Sequence, residues 1–158
     1  MLSFSIIVRN EESRLAGSLA SLRELADEMV VVDTGSTDAT ITVAEAAGAR
    51  VEQVEWPGDF ARARNTALTF LKGDWVLVLD ADEQLRPEVI PSLKALMAQP
   101  DVLVINLLRY EVGAAMAPYS SVRRLFRPHP AIRLSRPYHS VIDDSVCELL
   151  DSKPNGAS

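Results

Sequence analysis

The sequence holds a single cysteine, Cys147, among its 158 residues. That count excludes an intrachain disulfide and a zinc site built from several thiolates, and it fits a reducing, cytoplasmic location. Cys147 itself reads as a small buried apolar side chain. Neither a GxGxxG nor a GxxxxGK[ST] pattern occurs, which argues against a Rossmann dehydrogenase and against a P-loop nucleotidase. The apolar opening from Met1 to Val8 is too short for the three regions of a signal peptide, and no membrane-length apolar run follows it. Positive charge is in deficit, with Lys+Arg 16 against Asp+Glu 22 and a formal net charge of -6. A general nucleic-acid binder, which draws its affinity from neutralising phosphates, is thereby disfavoured. Arg62 with Arg64 and Arg123 with Arg124 are local basic exceptions. There is no internal repeat and no low-complexity tract.

What is present is an ordinary globular composition, 47% hydrophobic and 24% charged, long enough for one core. A single domain over residues 1–150 is expected, with a strand–helix half at 1–100, a second half of different pattern at 101–150 and a flexible tail at 151–158. The first two thirds alternate strand and helix signals: strands at Ser3 to Val8, Val30 to Asp33, Arg50 to Val54 and Trp75 to Leu79. Between and after them, helices are predicted at Ser13 to Leu25, Asp38 to Ala47 with Gly48 as its cap, Phe60 to about Leu71 capped by Asp59, and Pro87 to about Met97. Such alternation predicts an α/β fold with a mostly parallel sheet flanked by helices. From Val102 the pattern changes to strands without helices, at Val102 to Val112, Ser120 to Arg127, Ala131 to Leu134 and Tyr138 to Val146. This part is expected to be irregular or antiparallel.

Two of the predicted strands end in acids. Trp75-Val76-Leu77-Val78-Leu79 runs into Asp80-Ala81-Asp82-Glu83, and Met29-Val30-Val31-Val32 runs into Asp33 with Gly35 placed for a tight turn. Crowded carboxylates need a countercharge, and a hard divalent cation such as Mg²⁺ or Mn²⁺ supplies one while bridging to a substrate phosphate. A charged turn after a core strand is the plainer alternative. Ligands bind at the carboxyl ends of strands in a parallel α/β sheet, so repeated delivery of acids to that edge favours a site.

Four blocks carry a resemblance, and together they cover about residues 3 to 85. Ile7-Val8-Arg9-Asn10-Glu11-Glu12, Val31-Val32-Asp33-Thr34-Gly35-Ser36-Thr37-Asp38, Asp59-Phe60-Ala61-Arg62-Ala63-Arg64-Asn65 and Gly73-Asp74-Trp75 through Glu83 resemble the family 2 glycosyltransferases of the GT-A fold in order and spacing. The resemblance implies inverting transfer of a sugar from a nucleotide diphosphate donor, usually a UDP-sugar, to a glycan, lipid or protein acceptor, as in cell wall or polysaccharide synthesis. It implies that Asp33, beside Gly35, bonds the base, that Val8, Arg9, Asn10 and Glu11 line the nucleoside pocket, and that Arg64 and Asn65 lie on the nucleotide side. Asp80, Ala81 and Asp82 match the DXD motif, with Asp82 the direct ligand of Mn²⁺ or Mg²⁺ and Asp80 nearer the ribose. In relatives a basic segment like Val122-Arg123-Arg124-Leu125-Phe126-Arg127 precedes a His-Glu pair on the acceptor side. Here the corresponding stretch is Arg136-Pro137-Tyr138-His139-Ser140, and the Glu is missing. His139 is then a candidate third metal ligand or base, and Asp143 or Asp144 a candidate base for the acceptor hydroxyl.

Several residues also have a plainer reading. Arg62 suits a solvated helix face, Glu12 a first-turn acid complementing the helix dipole, and Trp56 and Trp75 packing. Two other functions compete with transfer. One is a truncated or degenerate module that binds UDP-sugar without transferring it. The other is a nucleotidyltransferase, which would want a basic, glycine-rich loop that Ile6 to Glu12 does not offer.

Overall fold

A computed structural model describes residues 1–113, 119–132 and 134 of the chain. Four parallel strands carry the first part: β1 (Leu2–Val8), β2 (Glu28–Asp33), β3 (Arg50–Gln53) and β4 (Trp75–Val78). β5 (Val104–Tyr110) and β6 (Tyr119–Phe126) form an antiparallel pair, and β6 joins the sheet antiparallel to β4. The strand order is β3-β2-β1-β4-β6-β5. β1 therefore lies between β2 and β4, where the chain's winding reverses, and that reversal opens a crevice at the carboxyl ends of the strands.

The strands form here because their residues are apolar on both faces. Val30 and Val32 pack with Ala67 on one side, while Val31 joins Phe4, Ile6, Leu19 and Leu77 on the other. β4 alternates likewise, with Trp75 and Leu77 in the larger cluster and Val76 and Val78 packed with Phe126, Ile132 and Leu134. Helices α1 (Leu15–Ser21), α2 (Thr40–Ala46), α3 (Phe60–Leu68) and α4 (Ile90–Met97) cover the faces. Asp59 caps α3 as expected, its Oδ1 accepting from the Arg62 N–H at 2.7 Å.

Several boundaries differ from expectation for local reasons. α1 stops at Ser21 because residues 22–25 tighten into i to i+3 turns, in which Leu22 and Leu25 stay buried. α2 starts at Thr40, with the Asp38 carboxylate standing in front of it and accepting from the Thr40 N–H at 2.9 Å. Pro87 opens a 3₁₀ turn, Pro87–Val89, before α4 begins. The strand expected at Ala131 to Leu134 is absent among the described residues of that stretch. Pro128 and Pro130 precede it and lack backbone donors, and Ala131, Ile132 and Leu134 lie in no strand. The expected strand at Tyr138 to Val146 lies outside the described residues.

The amino end of the sheet is closed tightly around Gly73. A Cβ there would sit 2.6 Å from Ser3 Oγ and 2.7 Å from Ser3 N. Only glycine allows the approach that lets its N–H donate to Ser3 Oγ at 2.8 Å. The carboxyl end is left open for the loops after β1, β2 and β4.

Candidate nucleotide and metal site

Asp33 is the last residue of β2, in register with Val8 at the end of β1. It is 2% exposed. Its Oδ2 accepts from the N–H groups of Gly35 at 3.1 Å and Ser36 at 2.9 Å, which fixes the carboxylate against its own turn. Gly35 makes the turn possible with φ 113, a backbone region that L side chains rarely adopt. Asp33 Oδ1 is buried and has no hydrogen-bond partner among the described residues. An unpaired buried carboxylate oxygen is costly, so it fits a donor supplied by a ligand.

The loop after β1 is stitched to the loop after β2. Asn10, at φ 53, accepts from the Thr37 N–H at 2.8 Å through Oδ1 and gives its own N–H to Ser36 Oγ at 2.9 Å. Glu11 N–H donates to Thr40 Oγ1 at 2.9 Å. Arg9 is exposed and Val8 is buried, its carbonyl accepting from Thr34 N at 3.1 Å. Two acids in this loop serve structure. Glu11 makes a bidentate pair with Arg14, at 2.9 and 3.0 Å, and Glu12 accepts from the Ala39 N–H at 2.9 Å in front of α2. Glu12 thus complements α2, whereas the sequence suggested its own helix.

The acids after β4 are compensated by arginines. Arg64 on α3 is 7% exposed and donates to Asp80 Oδ1. Arg124 on β6 lies 3.3 Å from Asp80 Oδ2 and 2.6 Å from Glu83 Oε2. Glu83 also accepts from the Asp80 N–H at 2.9 Å, which fixes the turn, and Arg109 stands 3.7 Å from it. Burial pulls the Arg64 guanidinium below its ordinary pKa and the like charge of Arg124 adds to this, while Asp80 and Glu83 pull the other way. In the sequence Arg123-Arg124 reads as a local basic cluster within the segment resembling the family's acceptor-side basic stretch; nothing local to β6 announces that Arg124 meets acids far upstream.

Asp82 lies exposed on the same turn and Ala81 is buried beneath it. Among the described residues no group of three or more His, Cys, Asp or Glu gathers to hold an ion. The donor set suits a hard cation that brings phosphate oxygens with it, since Mg²⁺ commonly uses one or two carboxylates plus substrate phosphates. Asn65 has another partner in this structure. Its amide donates to the Leu134 carbonyl and accepts from the Leu134 N–H, both at 2.8 Å. It clamps the distal segment to α3. His139, Asp143 and Asp144 lie outside the described residues.

Comparison with known proteins places this architecture. A family model described as glycosyl transferase family 2 matches residues 3–155, and the chain belongs to that family. It is 45% identical over 154 residues to a TPR repeat-containing protein of Synechococcus elongatus, covering 98% of this chain and 38% of that protein. Of solved structures, it resembles S. aureus TarS with a TM-score of 0.65 at 26% identity, covering 74% of this chain and 38% of that one. TarS has also been solved in complex with UDP. Glucosyl-3-phosphoglycerate synthase of Mycobacterium tuberculosis, in complex with Mn2+, UDP and glucosyl-3-phosphoglycerate, matches with a TM-score of 0.54 at 27% identity, covering 66% and 42%. The fold is of the GT-A type. The chain spans under half the length of curated relatives that it matches. Among the described residues no helix is long and apolar enough to cross a membrane.

Proposed function

We propose that this chain binds a nucleotide diphosphate sugar, a UDP-sugar, and transfers the sugar with inversion to a glycan, lipid or protein acceptor, with Mn²⁺ or Mg²⁺ as cofactor. The observation that carries the reading is Asp33 Oδ1, a buried carboxylate oxygen left unpaired at the switch point of the sheet. Uracil offers a ring N–H that such an acceptor satisfies. The UDP complexes of TarS and of the mycobacterial synthase support the same donor class.

In this account Asp33 orients the base. Arg9, Asn10 and Glu11 line the nucleoside side, with Asn10 holding the loop in shape. Arg64 fixes Asp80 near the ribose, and Asp82 is the carboxylate open to a cation. A bound divalent ion would offset the charge that develops on the departing diphosphate. The acceptor hydroxyl needs a base, and Asp143, Asp144 or His139 is proposed for it. Residues 1–150 act as one domain, and the single cysteine fits a cytoplasmic setting.

Calorimetry with UDP tests the reading directly. UDP binds more tightly with Mn²⁺ than with EDTA, and more tightly than ADP or GDP. Equal affinity for the three nucleotides would remove Asp33 as the base reader, and UDP binding without any turnover of a UDP-sugar panel would favour the binding module over the transferase.

A further inference from the structure

The arginines around Asp80 bear on how the cation arrives, an inference that rests on the function proposed above. Arg64 occupies Asp80 Oδ1 and Arg124 stands 3.3 Å from Oδ2, so both oxygens of the first DXD carboxylate already face guanidiniums. Glu83, the neighbouring acid, holds Arg124 at 2.6 Å and has Arg109 at 3.7 Å. Two carboxylates thus face three cations, and little negative field is left at this turn to attract a metal ion. Asp82 is exposed and unpaired by these arginines while Asp80, though partly open, is already engaged, and one unengaged carboxylate is a poor cage for a cation that prefers six oxygens. The missing negative charge and the missing ligands are both properties of a diphosphate.

We propose that Arg124 is a positioning residue that, together with Arg64, neutralises Asp80 so that a divalent cation is retained jointly with a nucleotide diphosphate and not by the free protein. Its two contacts are unequal, and the shorter one is to Glu83. Arg124 can therefore release Asp80 when a diphosphate enters and remain anchored. Its side chain is 14% exposed, so the guanidinium stays mostly buried against the turn, while the Asp80 carboxylate at 38% remains reachable from solvent.

The test is titration of Mn²⁺ alone, followed by free-ion EPR or calorimetry, into the wild type, Arg124→Gln and Arg124→Lys, and then again with UDP. The wild type binds Mn²⁺ alone at least about tenfold more weakly than with UDP, and Arg124→Gln tightens binding of Mn²⁺ alone by about tenfold, because a charge beside the ligand is gone. Arg124→Lys returns to the wild-type value. A merely structural arginine would not give a gain of affinity on removal. The proposal is overturned if the wild type holds Mn²⁺ equally with and without UDP, or if Arg124→Gln leaves binding of Mn²⁺ alone unchanged or weaker. Should Arg124→Gln fail to fold by circular dichroism, Arg124→Met replaces it with the same expected tightening, and unchanged or weaker binding of Mn²⁺ alone counts against the proposal. Failure of UDP to bind defeats the proposed function, whereas the Arg124→Gln titration without nucleotide decides this inference separately.

Discussion

The carboxyl ends of β2 and β4 each deliver an aspartate to the same edge of the sheet, and the two carboxylates are held by different means. Asp33 is fixed by N–H groups of its own turn and keeps one buried oxygen unpaired. Asp80 is fixed by side chains from α3 and β6, and both of its oxygens face guanidiniums. The first arrangement is local and leaves capacity for a ligand. The second is long-range and fastens three elements together. A strand-end acid therefore declares its role through what its surroundings leave unsatisfied, not through its place in a motif.

Stability measurements sharpen that contrast most. Asp80→Ala leaves Arg64, whose side chain is 8% exposed, without its main countercharge. A loss of about 2–4 kcal/mol is expected in urea unfolding, below the full figure for a buried pair because Asp80 itself is partly open. Asp33→Ala removes two hydrogen bonds but also an unpaired oxygen, and its cost stays within about 1 kcal/mol. Equal losses in the two variants would erase the distinction.

Ligand binding reverses the order. Asp33→Ala weakens UDP binding by about 1–3 kcal/mol, the scale for losing a hydrogen bond to a charged group. Calorimetry reads this directly, and unaltered affinity would mean that Oδ1 does not meet the base.

A smaller effect is expected at the clamp between α3 and the distal segment. Asn65→Ala forfeits both bonds to Leu134 and costs about 1–2 kcal/mol in unfolding. Asn65→Asp, which keeps the acceptor alone, falls between. If UDP affinity falls more than stability in these variants, Asn65 acts on the nucleotide after all.

The mildest test is at Asp38, where the Thr40 hydroxyl, donating to the carboxylate, holds its pKa below the ordinary 3.8. A depressed folded pKa means that the stabilisation is complete above pH 3.8 and fades as pH falls through the lower folded value. The melting temperatures of wild type and Asp38→Asn should therefore differ at neutral pH and converge in acid. A difference that grows on acidification contradicts this sign.

Much of this was legible in the sequence because it is local. The apolar strands, the Asp59 cap and the delivery of Asp33 and Asp80 to one edge follow from periodicity and helix chemistry. Arg64 was singled out by its block, although its pairing with Asp80 was not. The pairing of Glu11 with Arg14 at i,i+3 spacing is local too, but the resemblance assigns Glu11 only to the nucleoside pocket. The remainder depends on distant contacts. Arg124 reaches Asp80 across 44 residues because β6 pairs antiparallel with β4, and alternation along a strand does not name its neighbour. The bond from Asn65 to Leu134 spans 69 residues, a partner that no local pattern names.

The stitching of the loop after β1 to the loop after β2 has a consequence for engineering and for drift among relatives. Asn10 at φ 53 serves as both donor and acceptor for residues 36 and 37, and Glu12 and Asp38 each meet a backbone N–H of the other loop. Neither loop keeps its shape if the other is exchanged. If these loops read the nucleobase as proposed, altering that preference requires grafting residues 9–12 and 33–40 as a single cassette.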